Sequence, residues 1–204
     1  MLTIDREVIL SVESKTEIDS TQAMLEAVRG TTTLDGSYPL YQNAFVSLQS
    51  FDPNELYPTA KYVLNDNLNT IRSIDKELVD YGIDVFNLNE VIQLNDIVIA
   101  PPIVELSDGV PCIVDGQHRS FLAREAGRRI NCIYVTGVDP NYPIISTPVG
   151  WDQVIAYDKK PEAAELLRDI RPGIADSSQG LRRFYRDFSF LGSQGRRPRL
   201  GQTA

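Results

Sequence analysis

One short string concentrates the chemistry of this chain: Asp115-Gly116-Gln117-His118-Arg119, which holds the single histidine. It joins an apolar run, Pro111-Cys112-Ile113-Val114, to residues 120–126, which Gly127 closes. The first reads as a buried strand and the second as a short helix. A strand, a tight turn and a helix whose first turn carries Gln, His and Arg make an anion site. Backbone N–H groups at a helix start lack intrahelical acceptors, and the helix dipole favours negative charge there. The N–H groups of Gln117 and His118 are the expected phosphate donors. Gly116 permits the turn and a close approach of ligand to backbone. Arg119 supplies a forked cation for a phosphate oxygen pair. His118 donates to phosphate or holds a leaving-group oxygen, according to its charge state. Asp115 either caps the helix or holds Mg²⁺, directly or through water. With no second histidine to share a metal, His118 reads as a phosphate contact and not as a metal ligand.

Elements on either side must position that string. The pattern predicts a helix over residues 19–29, with Asp19 as cap and Gly30 as stop. A loop over 31–43 and a short strand over 45–48 follow. Two prolines keep 51–59 irregular. The clearest helix spans about residues 67–81, where Leu68, Ile71, Ile74 and Leu78 recur at helical spacing before Gly82. Strands are expected over 97–99, 103–106, 110–114 and 130–135, with Asp108-Gly109 turning a hairpin. Residues 7–13 also read as a strand. Residues 151–157 and 161–170 read as helical pieces, with Pro161 at a permitted first-turn position.

Composition narrows the function classes. The chain has 204 residues and a net charge of −8, which opposes broad DNA binding by charge alone. Residues 182–199 run the other way, with Arg182, Arg183, Arg186, Arg196, Arg197 and Arg199 against Asp187. That run is either a solvated end or a nucleic-acid contact. No stretch has the roughly 20 apolar residues that span a bilayer. No secretory signal is visible at the start, so a cytoplasmic location is expected. Cys112 and Cys132 lack metal or CxxC spacing and read as reduced core residues. Tyr142, Trp151 and the Phe184-Tyr185, Phe188, Phe190 group either form a partner surface or pack back on the domain, and the second reading is preferred.

The order of elements, with Ile99-Ala100-Pro101-Pro102-Ile103-Val104, Ile113 to Arg119, Ala123, Ala126-Gly127 and Ile133-Tyr134-Val135, resembles the ParB/sulfiredoxin superfamily over roughly residues 44–136. The resemblance implies an α+β fold: a small mixed sheet with flanking helices, plus N-terminal and C-terminal extensions. The division expected is 1–43 as N-terminal extension, 44–138 as the ParB/sulfiredoxin-like domain, 139–181 as a helical C-terminal extension, and 182–204 as an Arg-rich tail. In that superfamily the glycine turn and basic helix start hold nucleotide phosphates. This implies ATP, ADP or CTP with Mg²⁺, on Gly116, Gln117, His118 and Arg119, with Asp115 toward the metal. Sulfiredoxins carry a catalytic cysteine where this chain has Gln117, so their thiol chemistry is not expected. Partition proteins read Gly-Glu-Arg-Arg and continue into a helix-turn-helix, which the 54 residues after Gly150 do not show. The Asp-Gly-x-His-Arg form is nearest to the free serine kinases, whose catalytic Glu follows the first strand in Pro-x-Glu. Pro53-Asn54-Glu55 stands there, so the resemblance implies a nucleotide-dependent phosphotransferase or hydrolase in which Glu55, Asp115 and His118 are catalytic. The acceptor would be a small hydroxyl-bearing molecule. The alternative is a DNA-associated regulator or DNA-modification protein that contacts nucleic acid through residues 182–199.

Overall fold

The computed structural model describes residues 12–13, 21–94, 97–174 and 180–189. Its elements are β1 (Val12–Glu13), α1 (Thr21–Arg29), β2 (Phe45–Phe51), β3 (Tyr62–Leu64), α2 (Asn65–Val79), β4 (Ile92–Leu94), β5 (Ile97–Ile99), β6 (Ile103–Ser107), β7 (Val110–Asp115), α3 (Gln117–Glu125), β8 (Ile130–Thr136) and β9 (Ile155–Tyr157). The fold is α+β. A four-stranded sheet runs in the order β2-β8-β6-β7, and only the β6–β8 pair is parallel. A small antiparallel sheet, β1-β4-β5, and a parallel pair, β3-β9, complete it.

Strand parity explains how the central sheet is covered on both faces. In β8, Ile130 and Cys132 join one core with Leu68, Ile74 and Leu78 of α2, Leu122 of α3 and Trp151. Ile133 and Val135 point the other way, into a second core with Met24 and Val28 of α1, Tyr41, Val46 and Phe188. A strand buried on both faces reads as a near-continuous apolar run, as β8 does. Each of these large side chains contributes about 1.5–3 kcal/mol by leaving water. The β6–β7 hairpin turns on Asp108 and Gly109, both with positive φ, as a two-residue turn matched to the strand twist requires. Both cysteines are free and buried, and burial pushes each thiol up to about 12, so neither forms a thiolate near neutral pH.

Several expectations need correction. The strand expected over 45–48 continues to Phe51. Residues 151–157 and 161–170 form no α-helix. Trp151–Gln153 and Ala164–Leu166 are single 3-10 turns, and Ile155–Tyr157 is β9, paired in parallel with β3. Trp151 explains this: its indole N–H donates to the Pro53 carbonyl at 2.8 Å, and its ring lies against Phe121. That anchor holds the chain extended toward β3. Residues 7–11 and Asp19 lie outside the described residues, and α1 begins at Thr21.

Arg186 also departs from its expected place in a solvated or DNA-contacting run. It is 2% exposed and donates to both carboxylate oxygens of Glu105, at 2.6 and 2.9 Å. Its remaining N–H groups reach the carbonyls of Tyr142, Pro143 and Phe184, and Tyr41 Oη donates to Glu105 at 2.8 Å. Burial opposes the Arg186 charge, but Glu105 and Tyr41 still hold it above the ordinary arginine value. The segment around Arg186 is tied to the loop after α1 by Asp187 N–H to Thr32 O and Leu34 N–H to Tyr185 O, both 2.9 Å. Arg183 lies over the Tyr142 ring and donates to its hydroxyl. Tyr142, Trp151, Phe184 and Phe188 are all buried, as the packing-back reading expects, while Phe190, Arg196, Arg197 and Arg199 lie outside the described residues.

Candidate functional site

β7 delivers Asp115 to the mouth of a cleft, and Gly116 turns the chain into α3. Gly116 has φ +81°, and a Cβ built on it would lie 2.7 Å from Pro102 Cβ and 2.8 Å from Pro102 Cα. The close approach that glycine permits is therefore made by Pro102 and not by a ligand. Gly116→Ala is expected to cost at least about 1–3 kcal/mol, read as a lower urea midpoint, because both the φ and the contact resist a side chain. An unchanged midpoint would contradict this geometry.

α3 starts at Gln117, so Gln117, His118 and Arg119 form its first turn, as the sequence leads one to expect. Its first intrahelical bonds run from the N–H groups of Arg119 and Ser120 to the Gly116 carbonyl. The N–H groups of Gln117 and His118 precede those bonds, at the positive end of the dipole. No side chain caps the helix start, so the capping role expected as one option for Asp115 is not realised.

The side chains of Gln117 and His118 are both engaged within the fold, a role the sequence does not announce for either. Gln117 spans residues 60–62. Its Oε1 accepts from Ala60 N–H at 3.1 Å, and its Nε2 donates to the carbonyls of Ala60 at 2.8 Å and Tyr62 at 3.2 Å. His118 Nε2 accepts from Leu64 N–H at 3.0 Å, and Asn67 Nδ2 lies 3.4 Å away. Leu64 is the residue before α2, so His118 satisfies a backbone donor at that helix start. This is an acceptor role, whereas a phosphate contact through Nε2 would need a donor. Gln117 and His118 together fix α2 and β3 relative to α3.

Burial holds the His118 imidazole below the ordinary histidine value of 6.5, with the Asp115 charge opposing in part. Only the neutral ring can accept from Leu64. As pH falls, the unfolded chain takes up this proton first. The contribution of His118 is therefore complete above 6.5 and is lost as pH falls through the lower folded-state value. The melting temperature of the wild type should drop more than that of His118→Leu between about pH 7 and about pH 5. Parallel curves would contradict the acceptor role.

Arg119 is 8% exposed. One arm, Nη2, donates to the Ala100 carbonyl, while Nη1 is buried without a hydrogen-bond partner. Burial lowers its pKa, partly offset by Asp115. Half of the expected fork is thus spent on the backbone, and the other half is unsatisfied.

These residues line a cavity of about 340 Å³ between α2 and the β5–β6 connection. Asp115, Gly116, His118 and Arg119 form its polar end, with Asn67 and Thr70 beside them. Ile71, Ile74, Val85, Val98 and Ile99 form an apolar wall. Asn67, Thr70, Ile71 and Ile74 are one stripe of α2. Helical spacing marks only Ile71 and Ile74 on this stripe, and the polar Asn67 and Thr70 beside them are the signal that it lines a cavity. Of the residues expected to act together, the cavity gathers Asp115, Gly116, His118 and Arg119. Gln117 and Glu55 are not in its lining. Glu55 is exposed in the 3-10 turn Pro53–Glu55, whose Asn54 accepts from Arg124, roughly two turns along α3 from the anion end. Among the described residues no group of three or more His, Cys, Asp or Glu side chains is placed to hold a metal ion. Nor is any helix long and apolar enough to cross a membrane.

The family model of the ParB CE domain matches residues 23–155. The chain belongs to the ParB CE domain family. The match starts within α1 and ends on β9, so the ParB CE domain takes in the first core, the second core except Phe188, the Asp115–Arg119 turn and the whole cavity lining. Comparisons with curated proteins and with solved structures found no match.

Proposed function

We propose that the cavity binds a nucleotide through its phosphates, with ATP, ADP and CTP as the candidates. The observation that carries this reading is the buried, half-satisfied guanidinium of Arg119 at the start of α3. An unpartnered buried N–H of a cation costs more than a neutral one does, and a phosphate oxygen would supply its acceptor. The N–H groups of Gln117 and His118 add donors on the same side. A base and sugar would lie along the aliphatic wall, in a volume within the usual range for small-ligand sites.

Asp115 is the one acid among the described lining residues. A carboxylate beside a phosphate repels it unless a cation lies between, which fits Mg²⁺ held by one carboxylate and the phosphates. Mg²⁺ would supply charge neutralisation on the phosphate oxygens. Phosphoryl transfer to a hydroxyl-bearing acceptor, or hydrolysis, also needs a group that orients the attacking oxygen. Asp115, and not Glu55, is the acid close enough to the cavity to do so. The DNA-associated alternative draws less support, because Arg186 and Arg183 are engaged within the fold.

Thermal unfolding with ATP, ADP or CTP, each with and without Mg²⁺, tests this. A ligand at a hundred times its Kd adds about 2.7 kcal/mol of stability. No rise with any of the three, together with no calorimetric binding of pyrophosphate, would sink the reading.

A further inference from the structure

We propose that β2 is a self-association edge: two copies pair their β2 strands antiparallel about a twofold axis, joining two four-stranded sheets into one of eight. β2 and β7 are the edges of the sheet. The β7 edge is covered, because Tyr57 N–H donates to Pro111 O and Ile113 N–H to Tyr57 O. The β2 edge has no such cover among the described residues.

Hydrogen-bond parity fixes which groups are open. The N–H groups of Asn131 and Ile133 are used on the side of β8 away from β2, by Phe86 O and Pro102 O. The alternate β8 residues, Ile130, Cys132, Tyr134 and Thr136, therefore bond to Phe51, Gln49, Ser47 and Phe45. That leaves the backbone groups of Val46, Leu48 and Ser50 facing outward. One of them is engaged: Arg129 donates to the Ser50 carbonyl at 2.6 Å, which leaves that oxygen a second lone pair.

The strand reads Phe-Val-Ser-Leu-Gln-Ser-Phe, with no charge and no proline. Natural edges are usually guarded by one or the other. Centred on Leu48, a second copy pairs all seven residues. Outward-facing Val46 meets Ser50 and Leu48 meets its own copy, so the open donors and acceptors fall opposite each other. Ser47 meets Gln49, and Phe45 meets Phe51. Phe45 is 63% exposed in the single chain, and this register gives it an aromatic cross-strand neighbour.

Sedimentation equilibrium of the full chain tests the proposal. The expected mass rises with concentration toward twice the 22.8 kDa of one chain. The S47K/Q49K variant sets like charges opposite each other and should be monomeric, with the melting temperature that the wild type shows at dilutions where it too is monomeric. S47E/Q49E should be monomeric too, and mixing the two variants should restore the dimer. Phe45→Lys, at a position exposed in the single chain, should also weaken it if either double variant fails to fold. A wild-type mass of one chain at every concentration overturns the proposal. So does a dimer that none of these variants weakens, which would place the contact at another segment.

Discussion

Arg186→Ala is expected to destabilise the fold by about 3–5 kcal/mol, a large share of the roughly 5–15 kcal/mol that holds a domain together. The substitution strands Glu105, 2% exposed, with a negative charge and only Tyr41 Oη as donor. It also frees the carbonyls of Tyr142, Pro143 and Phe184, which Arg186 satisfies. Tyr41 cannot relieve the charge by giving up its own proton. Burial, and then the Glu105 charge, raise its pKa well above the ordinary tyrosine value. The charge-related part of the loss belongs to breaking the pair and not to lacking it. A Glu105→Leu/Arg186→Met double variant should recover the part of the loss that comes from the stranded charge, because apolar replacements of similar volume avoid desolvating two charges, while the three freed carbonyls account for the rest. Urea unfolding of the two single variants and the double variant measures this. A double variant as unstable as the sum of the singles would refute the coupling.

Arg119→Met should act in the opposite sense on stability while removing function. Ligand-free, Arg119 carries a buried N–H with no acceptor. Methionine keeps the aliphatic stem in place and removes that cost, so the melting temperature should hold or rise. The bond to Ala100 O is lost, which limits the gain. Nucleotide or pyrophosphate affinity should fall roughly 10- to 150-fold, the worth of a hydrogen bond to a charged group. Arg119→Lys should lose nearly as much, because a point charge cannot serve both Ala100 and a ligand. Opposite movements of stability and affinity are characteristic of a residue kept for binding. A variant that melts several degrees lower and still binds would make Arg119 a packing residue. Calorimetry alongside thermal unfolding separates the outcomes.

Local rules made part of this structure legible. Asp108-Gly109 specifies its turn through backbone conformation alone, and Leu68, Ile74 and Leu78 specify the buried face of α2 through spacing. The Asp115–Arg119 string could be placed at a strand-to-helix turn for the same reason. Partner identity was not legible. Gln117 and His118 bond to main-chain groups of residues 60–64, which any sequence there would offer. Pro102 against Gly116 is a contact across the sheet with no local mark. Arg186 was hidden by its setting, since an arginine among arginines resembles a solvated face. The better clue lay in β6, where Glu105 interrupts Ile103-Val104 and Leu106. A carboxylate in a strand buried on both sides requires a cation from somewhere.

The Glu105–Arg186 pair also sets an order on biosynthesis. The β6 carboxylate emerges from the ribosome 81 residues ahead of its guanidinium. Until Arg186 follows, the second core can close only over an uncompensated charge, so the nascent sheet must wait with that face open. The β2–β8 ladder can zip earlier, since both strands precede Arg186 by at least 50 residues. Completion of the fold is thereby timed by its C-terminal segment, and nascent chains halted before that segment should remain sensitive to protease.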